Sequence, residues 1–424
     1  VETSDEHVLR TLMRHRRLTR AELATEIGIS KPTAGESVRR LTERGLVADT
    51  GERTPGGRGK GRVGSYYALS PTVGVALAVT IAPEGVVAEC VDVYGDTVGR
   101  AVRPADPTEL AAAITAAVDR ALSAAAGPAR TDAAGQARDV ADPPVRLAVV
   151  GAADPVDRAT GRLVHLPDAP FLVGELDPVA VLGHYVDGPV IVDNDVNWAA
   201  RAEREQGGPG DFAYLYLGEG LGCAIVSDGE VRRGHTGLAG EIAHLLTIGP
   251  GGRAVPFIEL FGDLDLRHEG HRDRDGREGN DAGGDRDGQE DSDARGDSNG
   301  RGDSNGRRDR DGRGDSDGRE AGGSRGSMTA IDVDRLLRSD AETRAILGAA
   351  VGGVIAAVIA LADPREVVLG GPWGPALVAE IRAATERMPR HVPIRAAAVS
   401  DEPVLAGVRA EALDRLRALV TTGE

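Results

Sequence analysis

At 424 residues, with 41% of them hydrophobic, the chain can bury a sizeable core spread over two or three domains. Two cysteines far apart in sequence, Cys90 and Cys223, exclude a disulfide framework and point to a reducing setting, where they are expected as small core residues. The formal charge of -17 would argue against nucleic acid if it were evenly spread, but residues 1–70 hold thirteen Lys or Arg against nine acidic residues, so the head is +4 and the rest -21. Such asymmetry confines phosphate contacts to the head. The opening VETSDEHVLR has no apolar stretch of the signal-peptide kind. The longest apolar run, Leu347 to Ala362, is shorter than the roughly 20 residues a bilayer needs, so a buried helix and a cytoplasmic protein are expected.

The head, residues 1–70, reads as three helices and a hairpin. Val8, Leu9 and Leu12 give the first helix an apolar stripe. Thr19-Arg20-Ala21-Glu22 is a capping box that opens the second, Gly28 permits a tight turn, and Ser30 caps a third helix that tolerates Pro32 in its first turn. Ala34, Val38 and Leu41 form the buried stripe of that third helix, and Gly35 costs it about 1 kcal/mol against Ala. Ser30, Lys31, Thr33, Ser37 and Arg40 are left on or near the outer face, a set suited to phosphates and major-groove edges. In RTPGGRGKGRVGSYYALSP the flanks alternate like strands and the tip is basic, so Arg58, Lys60 and Arg62 would form a wing able to reach a backbone or minor groove. The competing reading is a helical hairpin with a flexible basic linker. The whole succession of cap, turn, helix and wing favours double-stranded DNA as partner.

From Val73 onward strands and helices alternate. GVALAVTI and GVVAECVDVYGDTVGRAV read as a hairpin sheet, Pro107 to Ala126 as a helix, VRLAVVGAADPV as a strand, and Gly127 to Pro144 as a loop. This is an α/β body. In a second α/β unit, Pro189 to Val192 is strand-like and places Asn194 and Asp195 at a strand's carboxyl end, where such folds hold ligands. Glu241 and His244, in GHTGLAGEIAH, would share one face if that stretch is helical. DPREVVLGG is a strand and glycine turn, followed by a helix from Pro375. Residues 267–327 are almost without apolar side chains and contain a six-residue repeat from Arg295 to Gly318, so a disordered low-complexity insert is expected there.

Taken together, the winged head, VVGAADPVDRATGRLVH, VIVDNDVNWAARAE, YLYLGEGLGCAIVSDGEVRRGHTGLAGEIAH and VVLGG resemble the ROK family of repressors, reading frames and sugar kinases over nearly the whole chain except the insert. The resemblance implies an N-terminal winged helix-turn-helix plus a two-lobed actin-like, ribonuclease-H-like sugar-kinase fold with the sugar between the lobes. The expected divisions are 1–70 for the head, 71–188 for the first lobe, 189–403 for the second lobe with its insert at 267–327, and 404–424 for a helix returning to the first lobe. By the same resemblance Asn194, Asp195, Glu241, His244 and Glu259 are sugar contacts, and Asp195 stands at the catalytic-base position. Read from the residues alone, a helix cap is the alternative for Asp195, and His244 is equally a hydrogen-bonded histidine packing its loop.

Departures from the family pattern bear on activity. In family kinases the first strand ends in an acidic residue followed by glycines and a threonine, where this chain has Thr80-Ile81-Ala82-Pro83-Glu84. Proline removes a donor N–H, and a carboxylate lies where a phosphate would. The second phosphate loop, Gly218 to Gly222, has Glu219 in place of threonine. Like charges at ~4 Å repel by roughly 4 kcal/mol at an effective dielectric of 20, so two carboxylates oppose a triphosphate. The family's zinc pattern of three cysteines beside His244 falls on Pro250 to Phe257, which has no cysteine, and one imidazole does not hold structural zinc. The sequence therefore reads as a homodimeric or homotetrameric DNA-binding regulator, a repressor sensing a sugar or sugar derivative, with no kinase activity, metal or cofactor. The alternative is an active sugar kinase with a DNA-binding head.

Overall fold

The computed structural model describes residues 3–54, 64–104, 109–126, 143–164, 176–268 and 330–423. The expected basic tip with Arg58, Lys60 and Arg62, most of the loop at 127–144 and the repeat-bearing stretch 269–327 lie outside the described residues.

Local signals in the head translate directly into structure. Helix α1 (Ser4–His15) begins with a capping box between Thr3 and Glu6 and is followed by β1 (Arg17–Thr19). Helix α2 (Arg20–Ile27) opens on the Thr19–Glu22 box and ends on Gly28 in the left-handed region. Helix α3 (Lys31–Glu43) is capped by Ser30 and runs unbroken through Gly35. Strands β2 (Val47–Arg53) and β3 (Ser65–Leu69) complete an antiparallel sheet of order β1-β3-β2. Val8, Leu9, Leu12, Leu23, Val38 and Leu41 are wholly buried among the three helices.

The first sheet of the body has the order β6-β5-β4-β7-β8. Strands β4 (Val75–Ala82), β5 (Gly85–Asp92) and β6 (Thr97–Arg103) form an antiparallel meander covered by α4 (Leu110–Ala126). Strand β7 (Val145–Ala152) then joins β4 in parallel, and after the short α5 (Pro178–Leu182) strand β8 (Val190–Asn194) joins β7 in parallel. The carboxyl ends of β7 and β8 are thus neighbours, Gly151 standing opposite Asp193 and Ala152 opposite Asn194.

The second sheet has the order β11-β10-β9-β14-β15. After α6 (Asp195–Glu205) come β9 (Phe212–Leu217), β10 (Leu221–Ser227), β11 (Glu230–Val231) and a separate hairpin of β12 (Leu246–Ile248) and β13 (Ala254–Pro256). Helices α7 (Phe257–Asp263), α8 (Val333–Leu337) and α9 (Ala341–Ala362) precede β14 (Val367–Gly370), α10 (Val378–Thr385) and β15 (Ile394–Ala396). Helix α9 is long and apolar enough to cross a bilayer by composition alone, yet Leu347, Val351, Val354 and Ile355 are buried against the second sheet's core. Its Gly348 lies so close to α10 that an added Cβ would sit 2.9 Å from the backbone of Glu380.

Helix α11 (Pro403–Thr422) ends the chain and ties head to body. Leu405 and Val408 pack near Trp198 of α6, while Leu416 and Val420 share one core with Val8, Leu9 and Leu12 of α1. Polar contacts reinforce that junction: the Arg16 guanidinium donates to Asp96 at 2.7 Å, and the Tyr94 hydroxyl accepts from the Leu69 N–H at 3.2 Å. The crossing of α11 over α6 depends on Gly407, where a Cβ would meet the Trp198 carbonyl oxygen at 1.9 Å. Gly407→Ala is expected to lower unfolding free energy by roughly 3 kcal/mol, the upper end of overpacking costs, because the obstacle is backbone and not a movable side chain. Urea titration checks this, and a midpoint equal to wild type would contradict the crossing.

Candidate effector cleft and nucleic-acid interface

The turn from β8 into α6 places Asn194 and Asp195 at the mouth of a cleft. Asn194 is the N-cap of α6: its Oδ1 accepts from the Val196 N–H at 3.0 Å, and its Nδ2 donates to the Asp154 carbonyl at 3.3 Å. Asp195 Oδ1 also accepts from Val196 N, at 2.7 Å, so capping and cleft-lining coexist in this pair. Beneath them the buried Asp193 is the anchor. It accepts from the Asn194 N–H at 2.9 Å, from Asn197 Nδ2 at 2.8 Å and from Arg233 Nε at 2.6 Å.

Arg233 thereby ties the GHTGLAGEIAH stretch to β8. That stretch is a series of turns and not a helix, which corrects the shared-face expectation for Glu241 and His244. Gly234, Gly237 and Gly240 adopt φ of +75°, +105° and +102°, values that favour glycine and break a helix. Gly240 also lies against β10, where a Cβ would come within 1.7 Å of the Cys223 carbonyl oxygen, while its own carbonyl accepts from the Cys223 N–H at 3.0 Å. Glu241 and His244 nevertheless both line the cleft, carried there by backbone clamping instead of helical periodicity.

The cleft encloses about 620 Å³, within the usual range for a small-molecule site. Its walls come from the carboxyl ends of β4, β7 and β8, the β9–β10 turn, the glycine-rich turns and the start of α11. Desolvation raises the carboxyl of Asp154 to about 7, with Glu241 adding repulsion. Asp195 is also pushed up to about 7, first by desolvation and then by Glu241, Asp154 and Glu84. Glu241 keeps surface open to the cleft, yet the surrounding protein desolvates it enough to reach about 7. Pro83, Glu84 and Glu219 line the same cavity.

Not every expected contact converges. Glu259 is exposed on α7 and is not part of the cleft lining, since the side of α7 that faces the second core carries Phe257, Ile258, Leu260 and Phe261. Asp154 was missed by sequence reasoning although it stands two residues past the end of β7. The available signal was a lone carboxylate at the end of an apolar strand. Cys90 and Cys223 are both buried thiols, pushed up to about 12 by desolvation. Among the described residues no group of three or more His, Cys, Asp or Glu is placed to hold a metal ion.

In the head, Ser30, Lys31 and Thr33 are exposed at the start of α3, with the Ser30 Oγ accepting from the Thr33 N–H at 3.2 Å. Ser37 is fully buried, a correction to its expected outer position: α1 covers that face of α3. Arg40 is drawn the same way. Its Nη2 donates to Asp5 of α1 at 2.7 Å and to Ser37 at 3.1 Å, which makes it a brace between helices and only partly exposed. Arg39 is paired with both Glu36 and Glu43, whereas Lys31 makes no ion pair among the described residues.

Residues 2–48 match the winged helix-turn-helix DNA-binding family model, and residues 132–256 match that of the ROK family. The chain carries a ROK family domain in its body and a winged helix-turn-helix in its head. It is 24% identical over 250 residues to a putative xylose repressor of Caldicellulosiruptor sp. (strain Rt8B.4), covering 56% of this chain and 57% of that protein. It is 45% identical over 67 residues to a glucokinase of Halalkalibacterium halodurans, covering 15% of this chain and 20% of the relative. The chain thus spans little more than half the length of the first of these relatives and a fifth of the other. Over 99% of its length it is similar in fold to a crystal structure described as a ROK family transcriptional regulator, homologue of the E. coli MLC protein, covering 98% of that chain with a TM-score of 0.56 at 15% identity.

Proposed function

We propose that this ROK protein is a cytoplasmic DNA-binding transcriptional repressor, a homodimer or homotetramer, whose cleft binds a sugar or sugar derivative as effector. The carrying observation is α11: its first residues, Pro403 to Leu405, wall the cleft and its last turns share a core with α1 of the head. A ligand that favours one position of those first residues must bias the seating of the head, and so the spacing of two heads on an operator. The putative xylose repressor among its relatives supports a sugar as effector class.

Kinase activity is not part of this reading. The cleft presents Pro83, Glu84 and Glu219 where a triphosphate would need backbone donors and positive charge. The second reading, an active sugar kinase, is favoured by Asp195, whose carboxyl near 7 suits a general base. Thermal-shift titration with sugars, with and without Mg-ATP, separates the two: a sugar shift that ATP enlarges would revive the kinase. Glu241→Ala is expected to abolish release from operator DNA by the effector, read by fluorescence anisotropy. Unchanged release would remove Glu241 from the site.

A further inference from the structure

Charge in the cleft has one sign. Its lining includes Glu84, Asp154, Asp195, Glu219, Glu241 and Glu402, and no lysine or arginine among the described residues. Among the described residues only Glu402 is answered by an arginine, Arg100, whose Nη2 donates to it at 2.6 Å while Nη1 donates to the buried Glu89. An anionic ligand, whether a sugar phosphate or a sugar acid, would enter against this field. The start of α6 does not relieve the repulsion, because its Val196 N–H is already taken by Asn194 and Asp195.

A second, independent observation concerns Asp154. The residue is only 3% exposed, and its Oδ1 has no hydrogen-bond partner although the residue forms part of the cleft wall. Buried acceptors without a donor are costly, and a carboxylate more so than a neutral group. The acidic groups are spread around a cavity of about 620 Å³, which suits an organic cation carrying its own hydroxyls.

We propose that the effector is an amino sugar with a free, protonated amine, that Asp154 is the partner of that amine, and that neighbouring hydroxyls go to Asn194, Asp195 and Glu241. Asn194 is already hydrogen-bonded to the Asp154 carbonyl, so amine and hydroxyl contacts converge on one part of the cleft. This rests on the reading of the cleft as a sugar-effector site, and it narrows that class: the neutral parent sugar and the N-acetylated derivative lack the charge that Asp154 answers.

The test is isothermal titration of the full chain at pH 7 with D-glucosamine, D-galactosamine and D-mannosamine, each beside its neutral parent and its N-acetyl derivative. At least one amine is expected to bind about tenfold tighter than both counterparts, the worth of one charge-assisted hydrogen bond. In Asp154→Asn that ratio is expected to shrink to about threefold or less. A neutral or N-acetylated sugar binding as tightly as the amine in the unmodified protein overturns the amine while leaving the sugar cleft in place. A preference that survives in Asp154→Asn overturns the assignment of Asp154. Heat from none of the nine sugars overturns both this inference and the effector reading beneath it.

Discussion

Replacing Arg58, Lys60 and Arg62 together by alanine is expected to weaken operator binding about 100-fold near physiological salt and to flatten the slope of log affinity against log salt by about 3. The reasoning begins with the cations that the described part of the head has already committed. Arg16 is held by Asp96, Arg17 by Glu52, Arg39 by Glu36 and Glu43, Arg40 by Asp5, and Arg53 by Asp49. Each such pair lowers the charge available to a phosphate, or demands that the pair be broken first. Lys31 remains exposed at the start of α3, and its removal alone should cost about tenfold. The three basic residues of the tip stand within five positions of one another with no acidic residue between them, so in the sequence they form one basic cluster. Anisotropy titrations from 50 to 200 mM KCl, on an operator selected from random DNA, measure both quantities. A triple variant with wild-type affinity and slope would move the phosphate contacts off the wing.

What the sequence revealed of this head, and what it hid, follows from the range of the forces involved. Caps act over three or four residues, so Thr19, Glu22, Gly28 and Ser30 announce their helices without tertiary help. Ser37 failed as a surface residue, and Arg40 is tied down as a half-exposed brace, because α1, far away in sequence, lays Asp5 and its apolar stripe over that face of α3. The periodicity of a single helix tells which residues share a face, not which partner covers it. The turns around Glu241 went wrong for a different reason. Three glycines within seven residues, at Gly234, Gly237 and Gly240, are a turn signal that outweighs the spacing of Glu241 and His244.

The cleft shows the same division. Asn194 and Asp195 were legible because an apolar strand ending in polar residues marks a strand's carboxyl end, and β8 stops at Asn194. Asp154 was not, because nothing within β7's own sequence says that the distant turns carrying Glu241 will come close enough to help raise its carboxyl. Glu402 belongs to the cleft only because α11 returns across the body, a contact spanning some two hundred residues from α6. Local patterns give the elements, while the chemistry of the site comes from their juxtaposition.

That juxtaposition has a measurable cost. Stability of the ligand-free protein is expected to fall as pH rises from about 5 to 8, because Asp154, Asp195 and Glu241 are each pushed up to about 7 in the folded chain, against 3.8 for free aspartate and 4.5 for free glutamate. A carboxyl whose folded value lies above its unfolded one binds more protons when folded. Its contribution is fully present below the unfolded value and is lost as pH rises through the folded one. For the buried Asp154 the loss is on the order of 3 kcal/mol; Glu241, open to the cleft, contributes less because solvent screens it. Asp154→Asn cannot ionise, so its urea midpoint should fall less over this interval and exceed that of wild type at pH 8. Parallel pH profiles for wild type and Asp154→Asn would show that the carboxyl finds relief in the empty cleft. A cationic ligand acts on the same balance from the other side. By favouring the ionised carboxylates it should restore most stability at the high-pH end, where a neutral sugar of equal affinity would act evenly across the range.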